Sequence, residues 1–102
     1  MVDKCRQKGS KARRNIKELK KDLEALNDEN RLRILCLLRE HKELCVCDIY
    51  EALDLPQNLV SYHLGKLKEA GFLESHKDGA KVIYKKGNKH ANDFPDLINL
   101  IL

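Results

Sequence analysis

The stretch CVCDIYEALDLPQNLVSYHLGKLKEAG, residues 45–71, holds two short amphipathic segments joined by a proline turn. Val46, Ile49, Tyr50 and Leu53 share one face of a helix over about 45–53. Asp54-Leu55-Pro56 is a turn. Pro56 is placed to open the next helix, because its fixed φ suits a first turn and its missing N–H costs nothing there. That helix runs from Gln57 to Ala70 with Val60, Leu64 and Leu67 facing inward, and Gly71 stops it. Two such helices about a tight turn form a helix-turn-helix. Stepping 100° per residue from Val60 puts Asn58, Ser61, Tyr62, Gly65 and Lys66 on or toward the exposed face. Asn58, Ser61, Tyr62 and Lys66 can hydrogen-bond to base edges and phosphates in a major groove. Gln57, at the helix N-terminus, is placed to meet a phosphate or a base. Lys66 and Lys68 would serve the DNA backbone and carry salt dependence. His63, at the edge of the buried side, is expected to be a structural histidine.

Downstream the period changes from helix to strand. Residues 72–76 form one strand, Lys77-Asp78-Gly79-Ala80 a tight turn, and residues 81–85 the return strand. His76, Lys77 and Lys81 make the hairpin tip basic. A last helix from about Ala91 carries Phe94, Leu97, Ile98 and Ile101 at helical spacing and ends on an apolar Leu102, expected to be buried against another subunit. Upstream, Asn27 or Asp28 caps a helix to about His41, where Leu32, Ile34, Leu35, Cys36, Leu37 and Leu38 make it the central buried helix. Lys42-Glu43-Leu44 reads as a connection. An earlier helix from Asn15 has a narrow stripe of Ile16, Leu19, Leu23 and Leu26, suited to lying on a partner surface. The expected fold is mainly α with a β-hairpin wing: a winged helix-turn-helix over residues 15–102, preceded by a flexible basic arm over residues 1–14. Leu19, Leu23, Phe94, Leu97, Ile98 and Ile101, on the first and last helices, are the candidate dimer interface.

With 102 residues the chain is one small domain with a modest core, so oligomerisation is expected. The net charge of +4 is uneven. Nine Lys or Arg against Asp3 and Glu18 make residues 1–21 strongly basic, while the rest sums to −3. A basic arm on a near-neutral body suits a polyanion, here double-stranded DNA. No apolar run is long enough to span a membrane and no signal peptide is visible, so a cytoplasmic protein is expected. In that compartment four cysteines point to metal binding, reactivity or burial rather than disulfides. No nucleophile–base pair, glycine-rich phosphate loop or carboxylate cleft suggests an enzyme.

Three segments together resemble the ArsR/SmtB family of metal-sensing transcriptional repressors. Residues 26–35, LNDENRLRIL, are similar to its second-helix signature. Residues 43–48, ELCVCD, look like the thiolate box of its arsenite- and cadmium-sensing branches. Residues 55–64, LPQNLVSYHL, carry Ser-x-His-Leu in the recognition helix. The resemblance implies a homodimer joined by its first and last helices on a two-fold operator, with ligand binding releasing the DNA. No cofactor would be needed for DNA binding.

Cys45 and Cys47 are the metal candidates, since soft thiolates select As(III)/Sb(III) or Cd(II)/Pb(II)/Zn(II). In an ideal helix they would point about 200° apart. Chelation would then require the first turn to be irregular or to unwind, shifting the recognition helix. Cys5, in the arm, is the candidate third ligand, from its own subunit or from the other one, the latter as in the cadmium- and lead-sensing branch. Cys36 reads as a small buried hydrophobe. Gly9 stands where the cadmium branch has a second N-terminal cysteine, and Tyr50 where the arsenite pattern has a third. Three thiolates favour As(III)/Sb(III) as inducer, with Cd(II) or Pb(II) next. The family's zinc site on the last helix is expected to be absent, since His90 and Asp93 have no second pair after them. Two other readings stay open: a thiol redox sensor, against which the strain of a Cys-x-Cys disulfide weighs, and a ligand-independent DNA-binding protein.

Overall fold

The computed structural model describes the backbone of residues 10–87 and the side chains of residues 16–87. In order these form α1 (Ser10–Leu26), α2 (Glu29–Glu40), β1 (Glu43–Cys45), α3 (Val46–Leu53), α4 (Gln57–Glu69), β2 (Leu73–Asp78) and β3 (Lys81–Lys86). This is the expected winged helix-turn-helix, with α3 and α4 as its two helices and β2–β3 as the wing. The expected last helix, with Phe94, Leu97, Ile98 and Ile101, falls outside the described residues, as does Cys5.

The core is drawn from α2, α3 and α4. Ile34, Leu38, Ile49, Val60, Leu64 and Leu67 are fully buried, and Phe72 and Leu73 close it from the base of the wing. Burial of each such side chain contributes about 1.5–3 kcal/mol. Leu37 is half-buried against this cluster and Cys36 is half-buried, so α2 is central but not covered on every side. α1 begins at Ser10, five residues before the expected start at Asn15, because Lys, Ala and Arg favour a helix. It turns Ala25 and Leu26 toward the core. Its Ile16, Leu19 and Leu23 remain 53%, 48% and 51% exposed.

The helix ends follow capping chemistry. Asp28 caps α2, its Oδ1 accepting the N–H of Arg31 at 3.1 Å. α3 closes on Asp54 in the left-handed region (φ 56°, ψ 49°), a conformation that Asp tolerates better than most residues. α4 ends in a Schellman motif. Phe72 N–H returns to Leu67 O and Gly71 N–H to Lys68 O, each at 3.0 Å, and Gly71 takes φ 89°. Phe72 and Leu67, both buried, form the apolar contact that accompanies this motif.

The sheet has a strand more than the sequence suggested. Residues 43–45, expected to be a connection and a helix start, form β1, which pairs antiparallel with β3 in the order β1-β3-β2. Three residues are too few for an alternating pattern to be legible; β1 exists because β3 offers it an edge. The wing strands also run further than expected. Lys77 and Asp78 belong to β2, and Gly79-Ala80 alone turns the chain, with Asp78 opposite Lys81. Gly79 supplies the positive φ (66°) that such a two-residue hairpin loop needs.

Gly87 fixes the end of β3. A Cβ there would sit 2.6 Å from Gly71 O and 3.2 Å from Phe72 C, both backbone atoms. The same approach lets Gly87 N–H donate to Phe72 O at 2.8 Å. Gly87→Ala is therefore expected to destabilise by about 1–3 kcal/mol, as overpacking does. That lowers the midpoint of a circular dichroism melt by roughly 5–20 °C. A melt within 2 °C of wild type, on the order of experimental scatter, would show that the contact relaxes freely.

Candidate metal centre and nucleic-acid interface

β1 delivers Cys45 to the start of α3. Pairing with Ile83 across the sheet holds the backbone of Cys45 extended (φ −78°, ψ 163°), so Cys45 is the N-cap of α3, not its first turn. Its Sγ accepts the N–H of Asp48 at 3.2 Å, and Asp48 Oδ2 accepts the N–H of Cys45 at 3.2 Å. This is a capping box with cysteine in the place usually held by Ser or Thr.

The capping geometry corrects the expectation that the two thiols diverge. One residue off the helix, Cys45 turns its sulfur toward that of Cys47, with Cα atoms 5.2 Å apart, and the helix need not unwind. The two sulfurs are joined as a disulfide, which the sequence had weighed against. Cys45 is buried and Cys47 half-buried, and Asp48 brings a carboxylate to the same place. One donor atom from each of Cys45, Cys47 and Asp48 lies within 4.8 Å of the others. Cys36 is half-buried and free on α2.

The cysteine pair shares a cleft of about 370 Å³ with both helices of the helix-turn-helix and the wing. Val46 and Tyr50 line it from α3, Gln57 and Ser61 from the first turns of α4, and Ala80, Lys81 and Val82 from the wing. Any group seated on the two sulfurs is thus bounded by the residues expected to meet DNA.

Gln57, Asn58, Ser61, Tyr62, Lys66, Lys77 and Lys81 are all exposed. Pro56 precedes α4 without a side-chain cap, while Asn58 Oδ1 takes the N–H of Leu59 at 3.0 Å. Lys68, expected to serve the backbone, donates to Ser75 Oγ on β2 at 2.7 Å and so braces α4 against the wing. Tyr62 is 54% exposed and has two cations near its ring, Arg31 at 5.8 Å and Lys66 at 5.7 Å from the centroid. Arg31 was not legible as part of this surface: it sits some thirty residues earlier, in α2, and only packing brings it here. His63 is buried, as expected, and accepts the Nε–H of Arg31 at Nδ1 (3.0 Å).

Residues 28–75 match the family model described as bacterial regulatory protein, arsR family. The arsenical resistance operon repressor of Staphylococcus aureus is 35% identical over 87 residues, covering 85% of this chain and 83% of that protein. The chain belongs to the ArsR family. Over 59 residues it is 49% identical to the cadmium resistance transcriptional regulatory protein CadC of Listeria innocua. That match covers 58% of this chain and 50% of CadC, so the chain spans about half of that relative's length. A similar solved structure is the homodimeric winged helix-turn-helix DNA-binding domain Mb0332 of Mycobacterium bovis, described as a possible ArsR-family regulator, with a TM-score of 0.77. It covers 93% of this chain and 84% of that one, and at 24% identity it bears on the fold alone. The ArsR-family model and both sequence relatives are transcriptional regulators rather than enzymes. Among the described residues, no helix of this ArsR-family chain is long and apolar enough to cross a membrane.

Proposed function

We propose that this protein is a metal(loid)-responsive transcriptional repressor. It binds double-stranded operator DNA as a homodimer in the cytoplasm and lets go when a thiophilic ion is held by Cys45 and Cys47. The carrying observation is that Cys45 Sγ is at once a candidate donor and the N-cap of α3, the first helix of the helix-turn-helix. A sulfur whose lone pairs are drawn to a ligand is a poorer acceptor for Asp48 N–H. The cap loosens, and α3 moves against the cleft it shares with Gln57 and Ser61 of α4. The coupling needs only that ligand and DNA prefer different positions of α3.

Once a thiol reductant has opened the Cys45–Cys47 disulfide, the donor set fits a soft ion, because Cys45, held off the helix as its N-cap, already faces Cys47. As(III) or Sb(III) is the leading inducer, with Cys5 completing a three-sulfur set. Cd(II), Pb(II) or Zn(II) is the alternative, in which Asp48 adds an oxygen donor. Named relatives serve arsenical resistance in one case and cadmium resistance in the other. On the DNA side, Gln57, Asn58, Ser61, Tyr62 and Lys66 would read the major groove. Lys68 would contact the backbone near the base of the wing, and Lys77 and Lys81 the phosphates at its tip. The exposed Ile16, Leu19 and Leu23 stripe supports a dimer through α1.

The test is operator binding by fluorescence anisotropy under reducing conditions, titrated with arsenite and then cadmium. The comparison is with the Cys45→Ser/Cys47→Ser double mutant. Release from wild type and not from the mutant is expected, and the more potent ion names the inducer. DNA binding that neither ion disturbs would rule the thiolate switch out.

The paired sulfurs favour a second reading, in which Cys45 and Cys47 are oxidised rather than metallated. In that case peroxide followed by thiol reductant would cycle DNA binding, and arsenite would not.

A further inference from the structure

An open cleft of about 420 Å³ separates α1 from α4, with Ala25 on one wall, Ala70 on the other, and charged side chains from both helices around them. Arg31, from the first turn of α2, lies in this cleft and is tied to both helices. Its Nη1 donates to Ala25 O, near the end of α1, at 3.3 Å. Its Nε donates to His63 Nδ1, in the middle of α4, at 3.0 Å. Its guanidinium lies 5.8 Å from the ring centre of Tyr62 on the exposed face of α4. The acceptor end is rigid. His63 is buried, meets the Tyr62 ring edge-on, and holds Nε2 3.9 Å from Asp28 Oδ1. That same oxygen caps the backbone N–H of Arg31. One planar side chain therefore spans three helices, with a different nitrogen for α1 and for α4. A lysine, with a single point of donation on a flexible stem, could not do this.

We infer that Arg31 is a positioning residue: it sets the angle between α1 and α4, and through that angle the half-site spacing that the dimer recognises. This rests on the dimeric, operator-binding reading above. A two-fold dimer must hold its two reading helices about one turn of DNA apart. If α1 carries the dimer contact and α4 reads the groove, every error in the angle between them is doubled by the two-fold axis. Ala25 and Leu26 seat the end of α1 on the core, and beside that contact, where the helices part into a cleft, the Arg31 clamp fixes their angle.

The probes are palindromic duplexes built from the half-site that the wild-type protein selects from random-sequence DNA. Their centre-to-centre spacing is varied by one and by two base pairs, and a duplex with a single half-site is the control. Wild type is expected to prefer one spacing by about tenfold per step, in the range of ordinary single-site penalties. Arg31→Lys keeps the charge and loses the fork. It is expected to bind the best spacing about tenfold more weakly, the loss of a charge-assisted hydrogen bond. Its preference among spacings should fall to about twofold or less, with a smaller loss on the single half-site than on the best-spaced palindrome. His63→Gln, whose carbonyl can still accept from Arg31, should keep the wild-type profile, and His63→Leu should reproduce that of Arg31→Lys. The His63 pair repeats the test should Arg31→Lys fail to fold. A wild-type spacing profile in Arg31→Lys and His63→Leu would overturn the inference. So would an equal loss on every duplex including the single half-site, the mark of a simple phosphate contact. A wild type that sediments as a monomer would overturn the dimer reading and this inference together. A dimeric wild type with unchanged variants would overturn this inference alone.

Discussion

Cys45→Ser is expected to bind operator DNA as wild type does, yet to need at least about a hundredfold more arsenite for release. The two halves of that result come from two roles of one atom. Serine is among the best N-cap residues, so its Oγ can take over the Asp48 N–H that Cys45 Sγ now accepts at 3.2 Å. α3 then starts as before and α4 keeps its place. A hydroxyl, however, is a hard and weak donor to a soft ion, so the ligand set is broken. Cys45→Ala separates these roles from the other side. It loses the donor and the cap together, and the lost cap alone costs about 1 kcal/mol. It should therefore melt several degrees below Cys45→Ser and bind DNA more weakly even without inducer. Thermal melts with anisotropy titrations of the three proteins read both effects. If Cys45→Ser still released DNA at the wild-type arsenite concentration, Cys45 would not be a donor. If Cys45→Ala matched Cys45→Ser in stability, the capping role would fall.

Leu19→Glu/Leu23→Glu should abolish the dimer and weaken operator binding by about a hundred- to ten-thousandfold, the range by which linking two binding modules raises avidity. Both leucines are about half-exposed in the single chain. With Ile16, Leu26 and Leu32 they line an apolar groove between α1 and the start of α2. A carboxylate pair there removes little from the core, which lies on the Ala25 side of α1, so the secondary structure of the protomer should persist. Covering that groove in a dimer would desolvate two charges on each chain without partners. Sedimentation would report the mass and anisotropy the DNA affinity, with far-UV circular dichroism as the check on folding. A double variant that still sediments as a dimer would remove α1 from the interface. Loss of affinity without loss of the dimer would place these leucines in DNA binding instead.

The helical parts of the fold were legible because helices declare themselves locally. The inward residues of α4, its end at Gly71, the proline turn before it and the polar face of Gln57, Asn58, Ser61, Tyr62 and Lys66 follow from a 3.6-residue period and from capping preferences. The apolar stripe on α1 was legible for the same reason, and in the single chain its Ile16, Leu19 and Leu23 stay about half-exposed. The elements that were missed depend on partners distant in sequence. β1 is three residues long and is a strand only because β3 lies beside it. The wing runs two residues further than expected because Asp78 finds Lys81 across the turn. Gly87 passes for an ordinary loop residue until the Gly71 carbonyl is found where its Cβ would stand.

The candidate site divides the same way. That Cys45 and Cys47 are its candidate donors, and that soft ions would suit two thiolates, follows from residue type and spacing. How they meet does not. Helical geometry applied to two residues in one helix sends the sulfurs apart; strand pairing takes Cys45 out of that helix, and the sulfurs converge. Arg31 meets Tyr62 and His63 only because α2 packs across α4. Sequence alone determined the chemistry and the local period, which are properties of neighbouring residues. Tertiary structure decided which side chains share a space, because that depends on contacts between residues far apart along the chain, whose separation no local pattern records.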